Sequence, residues 1–196
     1  MESVMIYPKI ILLNGASSSG KTTVAMELRK KLEVPYFYCS SDLLVDSGML
    51  PNADRVNNDT EWSWNILRPK FFDGFHRSIA AFAASGVYLL VEHIVEYASW
   101  FDELVTLLHP YSVLYIGVIC PVEEIERREH ERGDRQIGEG KSHIEDGIHT
   151  WSRYDIEVNT YLNTNEENLN IIIKAMKEMN PEESVFQKYY IQNQSK

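Results

Sequence analysis

The sequence predicts an α/β protein, with a parallel sheet held between two layers of helices. Three observations carry the prediction. Strand-sized apolar runs at 9–14, 87–92 and 112–120 do not alternate with polar residues, as expected of strands covered on both faces. Segments with helical spacing lie between them. A glycine-rich turn joins the first run to the first helical segment.

The elements follow in order. KIILLN at 9–14 stops at Gly15, and a helix follows in which Val24, Leu28 and Leu32 recur every four residues. YFYC at 36–39 is a second short strand, followed by a loop-like stretch at 47–60 rich in Asn, Asp, Gly and Pro. Phe72, Phe75, Ile79 and Phe82 mark the buried face of a longer helix that ends before Gly86. VYLLVE at 87–92 is the third strand, a helix near 99–108 follows, and SVLYIGVIC at 112–120 is the fourth strand. Pro121 opens the next helix, a favoured proline position. A short strand near 156–159 precedes a helix that starts at Thr164, with Glu167 completing a capping box and Leu169, Ile172, Ile173 and Met176 as its buried stripe. The polar tail from about 183 is expected to fray.

A length of 196 residues suits one domain, 1–196, with room for a small lid. No stretch approaches the roughly 20 apolar residues of a membrane span, and the N-terminus has no basic leader, so a cytoplasmic location is expected. The net charge of −10, with no basic patch, disfavours a nucleic acid partner. Cys39 and Cys120 are too few for a disulfide framework or a zinc site, and His76, His109, His130, His143 and His149 show no metal-ligand spacing.

The turn after the first strand reads Gly15-Ala16-Ser17-Ser18-Ser19-Gly20-Lys21-Thr22, a complete GxxxxGK[ST] phosphate loop in the strand–loop–helix context it requires. Gly15 and Gly20 permit the tight backbone that turns N–H groups inward, making a nest for anions at a helix N-terminus. Lys21 would reach the outer phosphates of ATP, the Thr22 hydroxyl would ligate Mg2+, and Thr23 continues the same turn among the nucleotide contacts. Lys21 in a first helical turn opposes the macrodipole unless an anion binds there.

In parallel sheets ligands bind beyond the C-terminal strand ends, which directs attention to the residues after 14, 39, 92 and 120. Asp42, in SSDLLVD, is either a base that takes a proton from an attacking hydroxyl or a helix cap; Asp46, one turn on, reads as a helix-face residue. Glu92 would hold magnesium, usually through water, and His93 is either a substrate contact or a satisfied histidine. Arg128, Arg132 and Arg135 recur at i, i+4 and i+7, while Gly133, Gly138 and Gly140 break the helix into a lid over 128–141. The bland alternative for those arginines is surface pairing, Glu124–Arg128 and Glu131–Arg135. Trp62 and Trp64 are core residues or cover an apolar acceptor.

IILLNGASSSGKT, SSDLLVD, the strand before Glu92, LYIGVICPVEEIERREHERGDR, His149 and YDIEVNT at 154–160 together resemble the chloramphenicol phosphotransferase family. The resemblance implies a three-layer P-loop kinase fold with a five-stranded parallel sheet and a small helical lid. It also implies phosphorylation of a small-molecule hydroxyl with ATP and magnesium. Asp42 matches the family's catalytic base, Lys21 and Thr22 its phosphate and magnesium contacts, and Arg132 and Arg135 its lid arginines. Two places depart: Glu92-His93 stands where the family has paired Asp residues, and 48–66, where acceptor selectivity should lie, is dissimilar. Chloramphenicol or a related alcohol is the first acceptor, and a sugar, nucleoside, nucleotide sugar or shikimate-like metabolite the second. A nucleotide-binding regulator with little turnover is the competing class.

Overall fold

Alternate side chains of a strand point to opposite faces, so an apolar run without alternation needs two covering layers. The computed structural model, which describes residues 7–51, 63–132, 137–151 and 153–194, supplies both. Strands β1 (Ile10–Asn14), β2 (Tyr36–Ser40), β3 (Tyr88–His93), β4 (Val113–Ile119) and β5 (Ile156–Asn159) form a five-stranded sheet in the order β2-β3-β1-β4-β5. Every pairing is parallel. Ile11, Leu13, Leu90, Leu114 and Ile116 enter one core with helices α1 (Lys21–Lys31) and α7 (Asn165–Glu178). Ile10, Leu12, Leu89, Val91 and Tyr115 enter the other, with α3 (Trp64–Ala84), α4 (Ala98–Leu108) and α8 (Val185–Gln194). Short α2 (Ser41–Asp46), α5 (Val122–Arg132) and α6 (Glu139–Glu145) gather beyond the C-terminal strand ends. The three-layer α/β architecture is as expected.

The chain leaves β1 toward β2 on one side and returns to β4 on the other. The end of β1 is thus the point where the topology reverses, and the phosphate loop begins there. The capping box forms as read: Thr164 N–H donates to Glu167 Oε2 at 2.8 Å, and Glu167 N–H donates to Thr164 Oγ1 at 3.3 Å.

Three readings change. β3 runs one residue farther than expected, so Glu92 and His93 are its last residues and are both buried. Phe82 is 47% exposed, because the buried stripe of α3 passes from Ile79 to Ala83. The tail does not fray at 183: Pro181–Glu183 form a turn of 3-10 helix and α8 follows. Phe186 is fully buried, with its ring 5.6 Å from Phe101 and 5.4 Å from Tyr115. Asp155 fixes this return by accepting from Val185 N–H and Tyr115 N–H, each at 2.8 Å. Trp62, Gly133, Arg135 and most of the 47–60 loop lie outside the described residues. Both cysteines are free thiols, and no helix among the described residues is long and apolar enough to cross a membrane.

Phe186 tests the tail's contribution. Phe186→Ala should lower the unfolding free energy by roughly 3–5 kcal/mol in urea titration, whereas a frayed tail would leave the midpoint unchanged.

Candidate active site

The phosphate loop is built under backbone constraint. Gly20 caps α1 with φ 95°, and Ser18 also lies in the left-handed region at φ 58°. A Cβ at Gly15 would stand 2.6 Å from the Val118 carbonyl, so only glycine lets the loop leave the sheet there. The first turn of α1 holds no acidic residue, leaving its N-terminus electropositive. Lys21 is 6% exposed and donates to the Ala16 carbonyl at 2.8 Å. Ser18 Oγ and Ser19 Oγ are buried and have no hydrogen-bond partner.

Both flanks of the loop are braced. Before it, Asn14 donates to Tyr154 OH at 2.9 Å and Tyr115 OH at 3.1 Å, and accepts from Val95 N–H at 2.8 Å. His149 Nδ1 lies 2.6 Å from the same Tyr154 hydroxyl, and the Tyr154 ring covers Gly117. Beneath it, Thr160 donates to the Ser19 carbonyl at 2.6 Å. Arg128 donates to Thr160 O at 3.0 Å, Thr160 Oγ1 at 3.1 Å and Ser18 O at 3.4 Å, and pairs with Glu124 at 2.8 Å. The ion pair with Glu124 is formed, and the same guanidinium also holds the loop backbone. Glu131 pairs with Arg127. Arg127 and Arg128 together hold the Glu124 carboxyl down to about 2.

A cavity of about 260 Å³ opens over the loop. Ser17, Ser18, Gly20, Lys21, Thr22 and Thr23 line it on one side, and Asp42, Glu92, Arg128 and Arg132 on the others. Gly15, Ala16 and Ser19 lie behind this surface; Ala16 and Ser19 are fully buried. The Thr22 hydroxyl donates to Glu92 Oε1 at 2.7 Å, and Tyr38 OH donates to Glu92 Oε2 at 2.6 Å. Burial, and then the bond to Glu92, push the Tyr38 phenol well above its ordinary value, so it stays a donor. His93 turns to the opposite face of the sheet, where its Nε2 lies 2.9 Å from His76 Nε2 and its ring stacks on Trp100. Among the residues that line the described cavities His93 does not appear, which favours the core reading over substrate contact.

Ser40 occupies the N-cap position of α2, so Asp42 is not the cap. It sits in the first turn and lines two cavities at once: the one over the loop, and a second of about 200 Å³ beside it. The second cavity has Trp64, Phe71 and Phe72 as an aromatic wall, and Arg68, Glu96 and His143 as polar groups. Trp64 therefore joins the site, with its ring 5.9 Å from Phe71. Arg68 pairs with Glu96 at 2.5 Å and lies over the faces of Phe72 and Trp100, each at 5.1 Å. Asp46, at the exposed end of α2, lines neither cavity.

Sequence reasoning missed Arg68, Glu96, Glu139 and His143. They come from three segments with no shared spacing, and only the fold brings them to one wall. Helix α6 lies directly on the phosphate loop: Ser17 Oγ donates to Glu139 Oε2 at 3.0 Å, and Ser17 N–H donates to His143 Nδ1 at 3.3 Å. Gly140 makes the approach possible, since a Cβ there would lie 2.6 Å from the Ser17 carbonyl and 2.4 Å from Ile125. The buried Glu129 carboxylate accepts from Gly138 N–H at 2.7 Å and Gly140 N–H at 2.8 Å, fixing the start of α6. No cluster of three or more metal-ligating side chains occurs among the described residues.

The fold is shared with solved kinases. APS kinase CysC of Mycobacterium tuberculosis, in complex with AMPPNP and APS, superposes with a TM-score of 0.59 at 19% identity, over 86% of this chain and 96% of that one. Shikimate kinase of Aquifex aeolicus vf5 gives 0.58 at 17% identity, over 85% and 94%. The tunicamycin resistance protein of Deinococcus radiodurans gives 0.61 at 16% identity, over 86% and 95%. In sequence, two relatives from Mycobacterium tuberculosis (strains CDC 1551 / Oshkosh and ATCC 25618 / H37Rv), each named "Putative O-phosphotransferase", are 25% identical over 169 residues, 78% of this chain and 75% of theirs. The family model of chloramphenicol phosphotransferase-like proteins matches residues 8–177, which takes in every element from β1 to all but the end of α7. The chain belongs to the chloramphenicol phosphotransferase-like family, and is a P-loop enzyme that transfers a phosphoryl group to a hydroxyl acceptor.

Proposed function

We propose that this enzyme phosphorylates chloramphenicol or a similar small neutral alcohol, with ATP as donor and Mg2+ as metal. The observation that carries the reading is the position of Asp42, a carboxylate residue that lines both the cavity over the phosphate loop and the aromatic-walled cavity next to it. A base that serves a hydroxyl acceptor has to stand at that junction.

The residues suit a nucleotide and a magnesium ion. Ser18 Oγ and Ser19 Oγ are buried donors without partners, in a loop whose glycines leave no Cβ between backbone and ligand. Thr22 and Glu92 already meet at 2.7 Å, which pairs a hydroxyl with a carboxylate where oxygen ligation is needed. ATP brings the phosphoryl group, and magnesium offsets the charge on its oxygens. The chain does the rest. Lys21 exchanges the Ala16 carbonyl for phosphate oxygens, the loop N–H groups through Thr23 hold the nucleotide, and Arg128 keeps the loop in shape. Asp42 orients the acceptor hydroxyl and receives its proton as that oxygen forms its bond to the γ-phosphorus, while the bond from that phosphorus to the bridging oxygen breaks and ADP leaves with the electron pair. Arg132, lining the cavity, spreads the developing charge from the lid over 128–141. Arg135, outside the described residues, is assigned the same role on the family resemblance alone.

The charges of the second cavity favour a neutral acceptor. Its described cation, Arg68, is matched by Glu96, and Asp42 and Glu139 add two carboxylates. An anionic acceptor such as shikimate or a nucleotide sugar would meet repulsion there, while an aryl alcohol would meet Trp64 and Phe71. The setting proposed is the cytoplasm, where phosphorylation of an antibiotic would confer resistance.

An ADP-release panel of chloramphenicol, gluconate, shikimate and a nucleotide sugar tests the acceptor. The neutral alcohol should be preferred, and faster turnover of any of the three anions would overturn the assignment. Asp42→Asn should leave ATP affinity within a few-fold while phosphoryl transfer drops by about 10²–10⁴; undiminished transfer would remove the base, and the lack of any transfer in the parent protein would leave a nucleotide-binding regulator. Glu92→Gln should raise the magnesium concentration for half-maximal ATP binding by about tenfold, and an unchanged magnesium titration would exclude Glu92 from the metal site.

A further inference from the structure

His143 belongs to no motif, yet it lies where the phosphate loop, the lid helix and the acceptor cavity meet. Its Nδ1 lies 3.3 Å from Ser17 N, its Nε2 lies 3.9 Å from Glu96 Oε1, and its ring lines the second cavity together with Asp42. A backbone N–H can only donate, so Nδ1 carries a lone pair and the ring's proton sits on Nε2. That proton faces Glu96, the carboxylate that pairs with Arg68. One ring therefore accepts from a loop amide with one nitrogen and turns the other toward the Glu96–Arg68 pair, 3.9 Å from Glu96 and beyond direct hydrogen-bond distance.

The geometry points to His143 as a positioning residue for phosphoryl transfer: as the neutral Nε2–H tautomer it clasps α6 to the phosphate loop at Ser17 and sets the Glu96–Arg68 pair beside Asp42. The inference rests on the transfer reading for its purpose, but the clasp itself exists or fails without any acceptor. A second bond supports it, since Ser17 Oγ donates to Glu139 on the same helix at 3.0 Å. Losing the imidazole leaves Ser17 held from its side chain only. Protonation has the same effect, because a doubly protonated ring has no lone pair for Ser17 N–H.

The charged groups around the ring define the direction of the pH response. Glu139 and Asp146 on or beside α6, and Glu96 from the segment after β3, favour the cation, while Lys21 on α1 opposes it. Arg68 on α3 acts through its pair with Glu96, and Asp42 on α2 shares the cavity wall. Burial is the largest influence and lowers the titration of His143 below its ordinary value of 6.5. A group whose folded-state value is depressed supports the fold above its ordinary value and withdraws that support as pH falls through the depressed one. The clasp is thus closed at neutral pH and opens on acidification.

The test uses the full chain without acceptor. Nitrogen NMR of the imidazoles at neutral pH should show His143 as the Nε2–H tautomer, and the Nδ1–H tautomer or a charged ring would overturn the clasp. Amide exchange then reads the Ser17 and 139–145 segments in the parent protein, His143→Asn and His143→Leu, with thermal melts confirming that all three fold. The Asn side chain offers an acceptor oxygen near the position of Nδ1, so it should keep Ser17 protection and make it independent of pH. The Leu variant should lose protection about fivefold, the worth of one hydrogen bond, and the parent should move from the first behaviour to the second as the ring is protonated. Equal protection in Asn and Leu variants would overturn the proposal. A lack of any transfer in the parent protein, with the clasp intact, would instead sink the transfer reading alone.

Discussion

A phosphate loop is a length of backbone that must expose its N–H groups on one side while its other side is packed against protein. Here the space behind it is almost nil. A methyl group at Gly15 would reach the Val118 carbonyl, and Thr160 and Arg128 hold the carbonyls of Ser18 and Ser19 from below. Within the turn, the Ser19 N–H donates to the Ala16 carbonyl at 3.2 Å, so the loop is held from inside as well as from below. Asn14 anchors the start of the turn through Tyr115 and Tyr154. The left-handed backbone of Ser18, which costs about 1 kcal/mol or more for a residue with a Cβ, persists because both flanks are held.

The two halves of the site differ in how they treat charge. Over the loop, Lys21, Arg128 and Arg132 stand against Asp42, Glu92 and Glu131, and the N-terminus of α1 tips the balance toward an anion. Beside it, the guanidinium of Arg68 is matched by Glu96 and wrapped by aromatic faces. Asp42 stands on the boundary and lines both halves. The contrast gives the two halves different chemical characters, one suited to phosphate groups and one walled by aromatic rings.

What could be read from the sequence follows the range of the interactions involved. The strands, the capping box at Thr164 and the phosphate loop are local, because each depends on residues a few positions apart. Their reading agrees with the fold to within a residue at most boundaries. Asp42 and Glu92 were found by a rule of topology, that chemistry gathers at the C-terminal strand ends. The wall of the second cavity was not legible: Arg68, Glu96 and His143 lie on α3, after β3 and on α6, and no spacing links them. The tail misled for a related reason. Its composition is polar, and the order comes from Phe186 reaching Phe101 and Tyr115, far away in sequence. The overestimate of Phe82 shows the limit of periodicity, which locates a stripe but not which of two neighbouring positions the sheet covers.

Gly140 carries a consequence for how the lid and loop evolve together. At Gly140 itself main chain meets main chain, with no side chain between α6 and the Ser17 carbonyl to trim or regrow, while Glu139 and His143 reach Ser17 on either side. Such a seam has no adjustable shim. Any residue with a Cβ at 140 would act as a wedge about one methyl group thick, and would lever the helix off the loop by its first turn. The gap between the two halves of the machine is gauged by a missing carbon atom, so new substrates are more easily accommodated at the far wall, around Trp64 and Phe71, than at this hinge-side seam.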